Sequence, residues 1–113
     1  MTRAVVELAS EYWKLLKVFQ RAILLAPEEA RLRLQAHARY ADSRLEMVLA
    51  AERIRVMSFD GMEYEITMPA IAINADEYVG EENLIVERTI EPAVVQDMAV
   101  LMSGKVYLKK ANN

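Results

Sequence analysis

The chain has 113 residues, 54% of them apolar, three glycines, three prolines, no cysteine and a net charge of −3. That length buries one modest core, and the scarcity of Gly and Pro leaves disorder only for the last few residues, so a single domain spanning 1–113 is expected. The missing cysteine excludes disulfides, thiolate nucleophiles and iron–sulfur sites, and no apolar run or leader pattern suggests a membrane span or signal peptide, so a cytoplasmic protein without a transmembrane segment is expected.

The charge is unevenly spread. Residues 1–55 carry ten Lys and Arg against seven acids, residues 56–104 carry one Arg against ten acids, and three lysines follow from 105 on. Such a split suggests that the two halves attract each other within or between subunits, or that the acidic half faces a basic partner. The high apolar content of so short a chain leaves apolar surface uncovered in a monomer and points to a homo-oligomer.

Val5, Leu8, Tyr12, Leu15, Phe19 and Ile23 recur at three- and four-residue steps, which predicts a helix over 3–25. Its apolar arc spans roughly 200°, about twice what one neighbour requires. Arg3, Lys14, Lys17 and Arg21 occupy the rest with Glu7 and Glu11. A basic amphipathic helix can lie on a membrane surface, but a helix buried in a bundle or dimer gives the same wheel and is the commoner case. Pro27-Glu28-Glu29 ends this helix and opens another, predicted over 28–53, so that residues 1–53 form an antiparallel helical hairpin. The second helix has a main apolar stripe of Ala30, Leu34, Ala41, Leu45 and Val48, and another of Leu32, Ala36, Tyr40, Met47 and Ile54.

From 54 to 110 a sheet portion is expected, followed by a tail at 111–113. Residues 55–66 alternate, and Asp60-Gly61 suits a type I′ turn, which would set Phe59 opposite Met62 and Met57 opposite Tyr64. Ala70–Ile73 reads as a short edge strand, 74–83 as an acidic loop, and Leu84–Ile90 as a strand. Within 92–104, Pro92, the spacing of Val94, Met98 and Leu101, and Gly104 as a cap favour a short helix, while the three valines and Ser103-Gly104 would also suit a hairpin. Val106–Lys109 closes the chain as a strand, its lysines suited to a sheet edge. The fold class is therefore α+β: an N-terminal antiparallel helical hairpin, then a small, mostly antiparallel sheet, with a possible short helix before the last strand.

Chemical motifs are few. His37 is the sole imidazole, and the nearby Asp42 and Ser43 project from other sides of the same helix, so no local triad forms; Ser10, Ser58 and Ser103 lie far away in sequence. Transition-metal ligands are lacking at recognisable spacing. Asn74, Asp76, Glu81, Glu82 and Asn83 offer oxygens to a hard cation, but Gly80 falls one position late for a calcium loop, and a solvated loop is the better reading. Glu63, Glu65, Glu87 and Glu91 could be paired for glycoside hydrolysis, yet they match an exposed strand face equally well. Three glycines cannot build a phosphate cradle. No catalytic residue, metal or cofactor is assigned, and no enzyme is expected.

The arginines of the second helix divide on the wheel. Arg31, Arg39 and Arg53 share a mixed-charge face with Glu28, Asp42 and Glu46. Arg33, His37, Arg44 and Arg55 fall within a stripe about 40° wide between the two apolar faces, and these four are the candidate binding residues. Carboxylates of the acidic half or of a second subunit are the expected answer to this stripe. The leading expectation is a non-enzymatic adaptor or inhibitor that binds a protein partner through an oligomeric hairpin and an acidic sheet surface, with its many methionines as adaptable contacts. The alternative is a nucleic-acid-binding regulator using Arg33, Arg44 and Arg55; a small hydrolase ranks below both.

Overall fold

Two helices joined by a short turn, α1 (Thr2–Ile23) and α2 (Glu28–Ala50), precede six strands in the computed structural model, which describes residues 2–111. The strands are β1 (Ile54–Met57), β2 (Ala70–Ala72), β3 (Leu84–Glu91), β4 (Ala93–Gln96), β5 (Ala99–Met102) and β6 (Gly104–Lys110), with a 3-10 turn at Ala75–Tyr78. This is the expected α+β arrangement with an N-terminal helical hairpin. The tail placed at 111–113 lies, beyond Ala111, outside the described residues. No described helix is long and apolar enough to cross a membrane.

Pro27 starts α2 as its sequence position implies: it cannot continue α1, and its carbonyl accepts the amides of Ala30 and Arg31 at 3.0 and 3.1 Å. The helices pack through Leu16, Ile23 and Ala38, flanked by Phe19, Leu34 and Ala41, and the Tyr12 hydroxyl donates to the Ala41 carbonyl at 2.8 Å. Helix α2 is rotated by about 40° from its expected orientation. Leu49 rather than Val48 therefore turns inward, and Val48 is exposed.

The strands form two three-stranded sheets, ordered β1-β4-β5 and β2-β6-β3, antiparallel except for the β2–β6 pair. Yet β3 through β6 are one long hairpin. Glu91 pairs with Lys105 and Val94 with Met102, so the register continues from one sheet into the next. Pro92, which has no amide to donate, sits buried at the break on one arm, and Ser103, just before Gly104, forms the break on the other. At Gly104 the arms touch: a Cβ there would meet the Ala93 nitrogen and the Glu91 carbonyl oxygen at 3.0 Å each and the Phe59 ring at 3.3 Å. Glycine is required by close approach, not by its dihedral freedom.

Three expectations are corrected. The short helix over 92–102 is absent; β4 and β5 occupy this segment, because Val94, Val95 and Val100 are β-branched and both arms find long partners in register. The hairpin turns at Asp97-Met98, not at Ser103-Gly104. Asp97 adopts φ 53° and its two carboxylate oxygens share the single Arg53 Nε–H at 3.1 Å each, which fastens the turn to the end of α2. The hairpin over 55–66 is also absent, since β1 pairs with β4 and Asp60 has no positive φ. Here the partner is β3: the Thr89 amide donates to Asp60 Oδ1 at 2.7 Å, the Phe59 amide to Thr89 Oγ1 at 2.9 Å, and the Gly61 amide to the Val86 carbonyl at 2.8 Å. Finally, β6 is the central strand of its sheet, so Lys109 and Lys110 do not guard an edge strand.

Two cores result. Val6 and Ala9 of α1 and Leu49 of α2 pack on Ile54 and Val94 of the first sheet. The second sheet is covered by its own loops, through Phe59, Tyr64, Met68 and Tyr78 against Val86, Val106 and Leu108. The fold makes Gly104→Ala a test of the hairpin bend: it should lower unfolding stability by about 1–3 kcal/mol through overpacking, read as a lower urea midpoint, while Ser103→Ala on the exposed neighbour should cost less than about 0.5 kcal/mol.

Candidate functional site

The helical hairpin covers the first sheet with one side and leaves the other side bare. On α1, Leu8 and Leu15 are 69% and 70% exposed; on α2, Leu32, Tyr40 and Met47 are 78%, 68% and 62% exposed. Placed at about 100° per residue, these side chains point away from the inward faces that carry Val6, Trp13 and Leu49. The wide apolar arc of α1 is thus half core and half surface. The second α2 stripe stays exposed at Leu32, Ala36, Tyr40 and Met47, and Ile54, expected to extend it, is buried on β1 instead.

Arg33, His37 and Arg44 run through the middle of this bare surface and are all exposed. Among the described residues none of the three forms an ion pair, and Arg44 reaches only the Met47 sulfur at 3.9 Å. The acidic half therefore does not answer the stripe within one chain. Three of its carboxylates have other partners, Glu91 on Lys105 at 3.2 Å, Glu81 on Lys110 at 3.5 Å and Asp97 on Arg53.

Arg55 is not part of the stripe. Helix α2 ends at Ala50, Arg53 turns the chain with φ 59°, and Arg55 emerges on β1. It lines a groove of about 490 Å³ between the hairpin and the first sheet, beside Asp42 and Glu46. On the wheel those acids lie roughly 180° from Arg33, His37 and Arg44.

Among the described residues no arrangement brings His37 to a nucleophile and a carboxylate. Asp42 and Ser58 border the groove on the far side of α2, Ser10 is buried beneath α1, and Ser103 is exposed on the β5–β6 link. In the acidic loop, Asn74 is committed to structure. Its amide nitrogen donates to the Leu108 carbonyl at 3.0 Å, and its oxygen accepts the Leu108 amide at 2.8 Å. No group of three or more His, Asp or Glu among the described residues is placed to hold a metal ion.

A basic grouping that sequence reasoning missed lies where α1 meets β3. Lys14, Lys17 and Arg21 of α1 and Arg88 of β3 border one trough. The Lys14 ammonium is held above the usual lysine range, chiefly by its hydrogen bond to Glu11 and further by the charge of Glu91, against a lowering by burial. One signal pointed there: Arg88 is the only cation among the ten acids of residues 56–104.

No family model, curated protein or solved structure matches the chain. The site is therefore read from its own chemistry. Since Arg33 and Arg44 are exposed and form no ion pair among the described residues, the double variant Arg33→Ala/Arg44→Ala should leave unfolding stability within about 0.5 kcal/mol of the parent in urea titration. A larger loss would make the stripe structural.

Proposed function

We propose that the protein is a non-enzymatic adaptor or inhibitor that assembles as a homo-oligomer through its helical hairpin and offers its acidic sheet half to a protein partner. The observation that carries this reading is the bare apolar surface shared by both helices, with Leu8, Leu15, Leu32, Tyr40 and Met47 all more than half exposed. A monomer that leaves such a surface in water forgoes burial at about 25 cal/mol per Å² of apolar area. Shape supports the same reading. The chain is a plate of 47 × 39 × 16 Å, and its broad faces exceed the ~800 Å² per partner of an ordinary stable interface. A chain without cysteine suits the reducing cytoplasm, where we place it.

A second reading, nucleic-acid binding, draws on Arg33 and Arg44, whose guanidinium groups have no carboxylate partner among the described residues. Arg55 drops out of it. Binding to mixed DNA or RNA that weakens steeply with salt and is lost in Arg33→Ala/Arg44→Ala would favour this reading over the adaptor.

The adaptor reading predicts that the protein sediments as a dimer or larger at micromolar concentration in high salt. Leu8→Gln/Leu15→Gln should shift it at least about tenfold in concentration toward monomer, because each leucine loses its apolar contact. Both positions are exposed and glutamine is a good helix former, so the fold should persist by circular dichroism. A monomer at every concentration that also captures no protein from its host would overturn the proposal.

A further inference from the structure

The trough between α1 and β3 has a volume of about 540 Å³ and a composition unlike the rest of the surface. Four cations border it, Lys14, Lys17, Arg21 and Arg88, against one carboxylate, Asp60. That carboxylate is already engaged by the Thr89 amide at 2.7 Å, and Lys14 is paired with Glu11. Lys17, Arg21 and Arg88 have no acidic partner within ion-pairing distance among the described residues. Two of them are held in place by aromatic faces: the Lys17 ammonium lies 5.1 Å from the Trp13 ring and the Arg88 guanidinium 5.2 Å from the Tyr107 ring.

Apolar side chains, Val18, Leu24 and Ile90, lie between the charges. Along α1 the trough runs from Trp13 to Leu24, about 16 Å at 1.5 Å per residue, which matches some five residues of extended peptide. A phosphate site would instead gather its donors at one point, through backbone amides or a bidentate arginine. Nucleic acid would meet a chain of net charge −3. Spaced cations with apolar side chains between them fit an acidic peptide that carries an apolar residue.

The chain itself contains one. In the loop at 74–83, Asp76, Glu77 and Glu82 are exposed without an ion-pair partner among the described residues, and Val79 stands between them, 84% exposed. Asn74 clamps this loop to Leu108, and Tyr78 packs into the second core, so little ordering cost attends its docking. Among the described residues it makes no ion pair with the trough of its own chain. The loop enters β3 at Leu84, and Arg88 lies four residues further along a rigid strand, roughly 13 Å away at 3.3 Å per residue. We infer that the Lys17–Arg21–Arg88 trough receives the acidic 74–83 loop of a second copy of this chain. This contact deepens the reading of a self-associating module and uses residues separate from the bare hairpin surface. Loop and trough are different patches, so two copies either engage reciprocally around a two-fold axis or add head to tail.

Sedimentation of the full chain in the Leu8→Gln/Leu15→Gln background isolates the contact, at about 10 mM and about 1 M salt, where the screening length falls from roughly 30 to 3 Å. Association should appear at low salt and vanish at high salt. Lys17→Glu/Arg88→Glu should weaken it at least about tenfold, and Asp76→Lys/Glu82→Lys should do the same. Mixing these two variants one to one should restore association, because complementary charges meet again. Low-salt association that survives both variants overturns the inference. So does loss with the trough variant alone, which would assign the trough to some other acidic segment, or loss with Arg33→Glu/Arg44→Glu in its place. The hairpin proposal fails separately, if Leu8→Gln/Leu15→Gln leaves the high-salt oligomer unchanged.

Discussion

The architecture depends on a contact with no room for a side chain. Where the long β3–β6 hairpin passes from one sheet to the other, Gly104 lies against the Ala93 amide and the Glu91 carbonyl, with the Phe59 ring behind it. Pro92 sits on the opposite arm and withholds the amide that would continue a flat ladder. The hairpin bends instead of growing into one sheet. Its far half, β4 and β5, becomes a platform for the helices, and its near half, β3 and β6, forms a second core with the loops.

That division sets the shape. The helices cover only the first sheet, and the second sheet extends beside them rather than beneath them. The radius of gyration is 15.8 Å, against the roughly 13 Å of a compact domain of this length. A plate has more surface than a sphere, and the apolar residues of a 54% apolar chain must occupy part of it. Many of them lie on the outer side of the hairpin, because α1 and α2 each carry apolar arcs wider than their inward contacts use, and others, such as Ile66, Val79 and Met98, are scattered over the sheet half. Charge is distributed by the same logic. Acids concentrate on the second sheet and its loops, while unpaired cations lie on α2 and in the trough beside α1.

The helices were legible in the sequence, since a 3.6-residue period sustained over six turns has no competing interpretation, and Pro27 marks their junction. Even the surplus apolar stripes could be read, though not which stripe would be left bare. The strands were harder. Val94, Met98 and Leu101 match a helical spacing by chance, and the distinction lies in partners at Met102 and Lys105 that no local window contains. Gly104 looked like a helix cap because glycine serves both turn and close approach. Asp60-Gly61 looked like a hairpin turn because the local chemistry fits; the Thr89 hydroxyl and amide, some thirty residues away, decided otherwise. A helical wheel carried past Ala50, where α2 stops, misplaces Arg55, and no local window joins α1 to Arg88, so far apart in sequence.

Met47 on the bare hairpin surface and Met98 at the hairpin tip give the most direct test of whether that surface is covered in solution. They are 62% and 100% exposed, and thioether oxidation by peroxide reports access to each by mass spectrometry. Across a dilution series in high salt, the oxidation rate of Met47 should fall as concentration rises, while that of Met98 stays constant. Equal, concentration-independent rates at both methionines would contradict a hairpin surface closed by another copy.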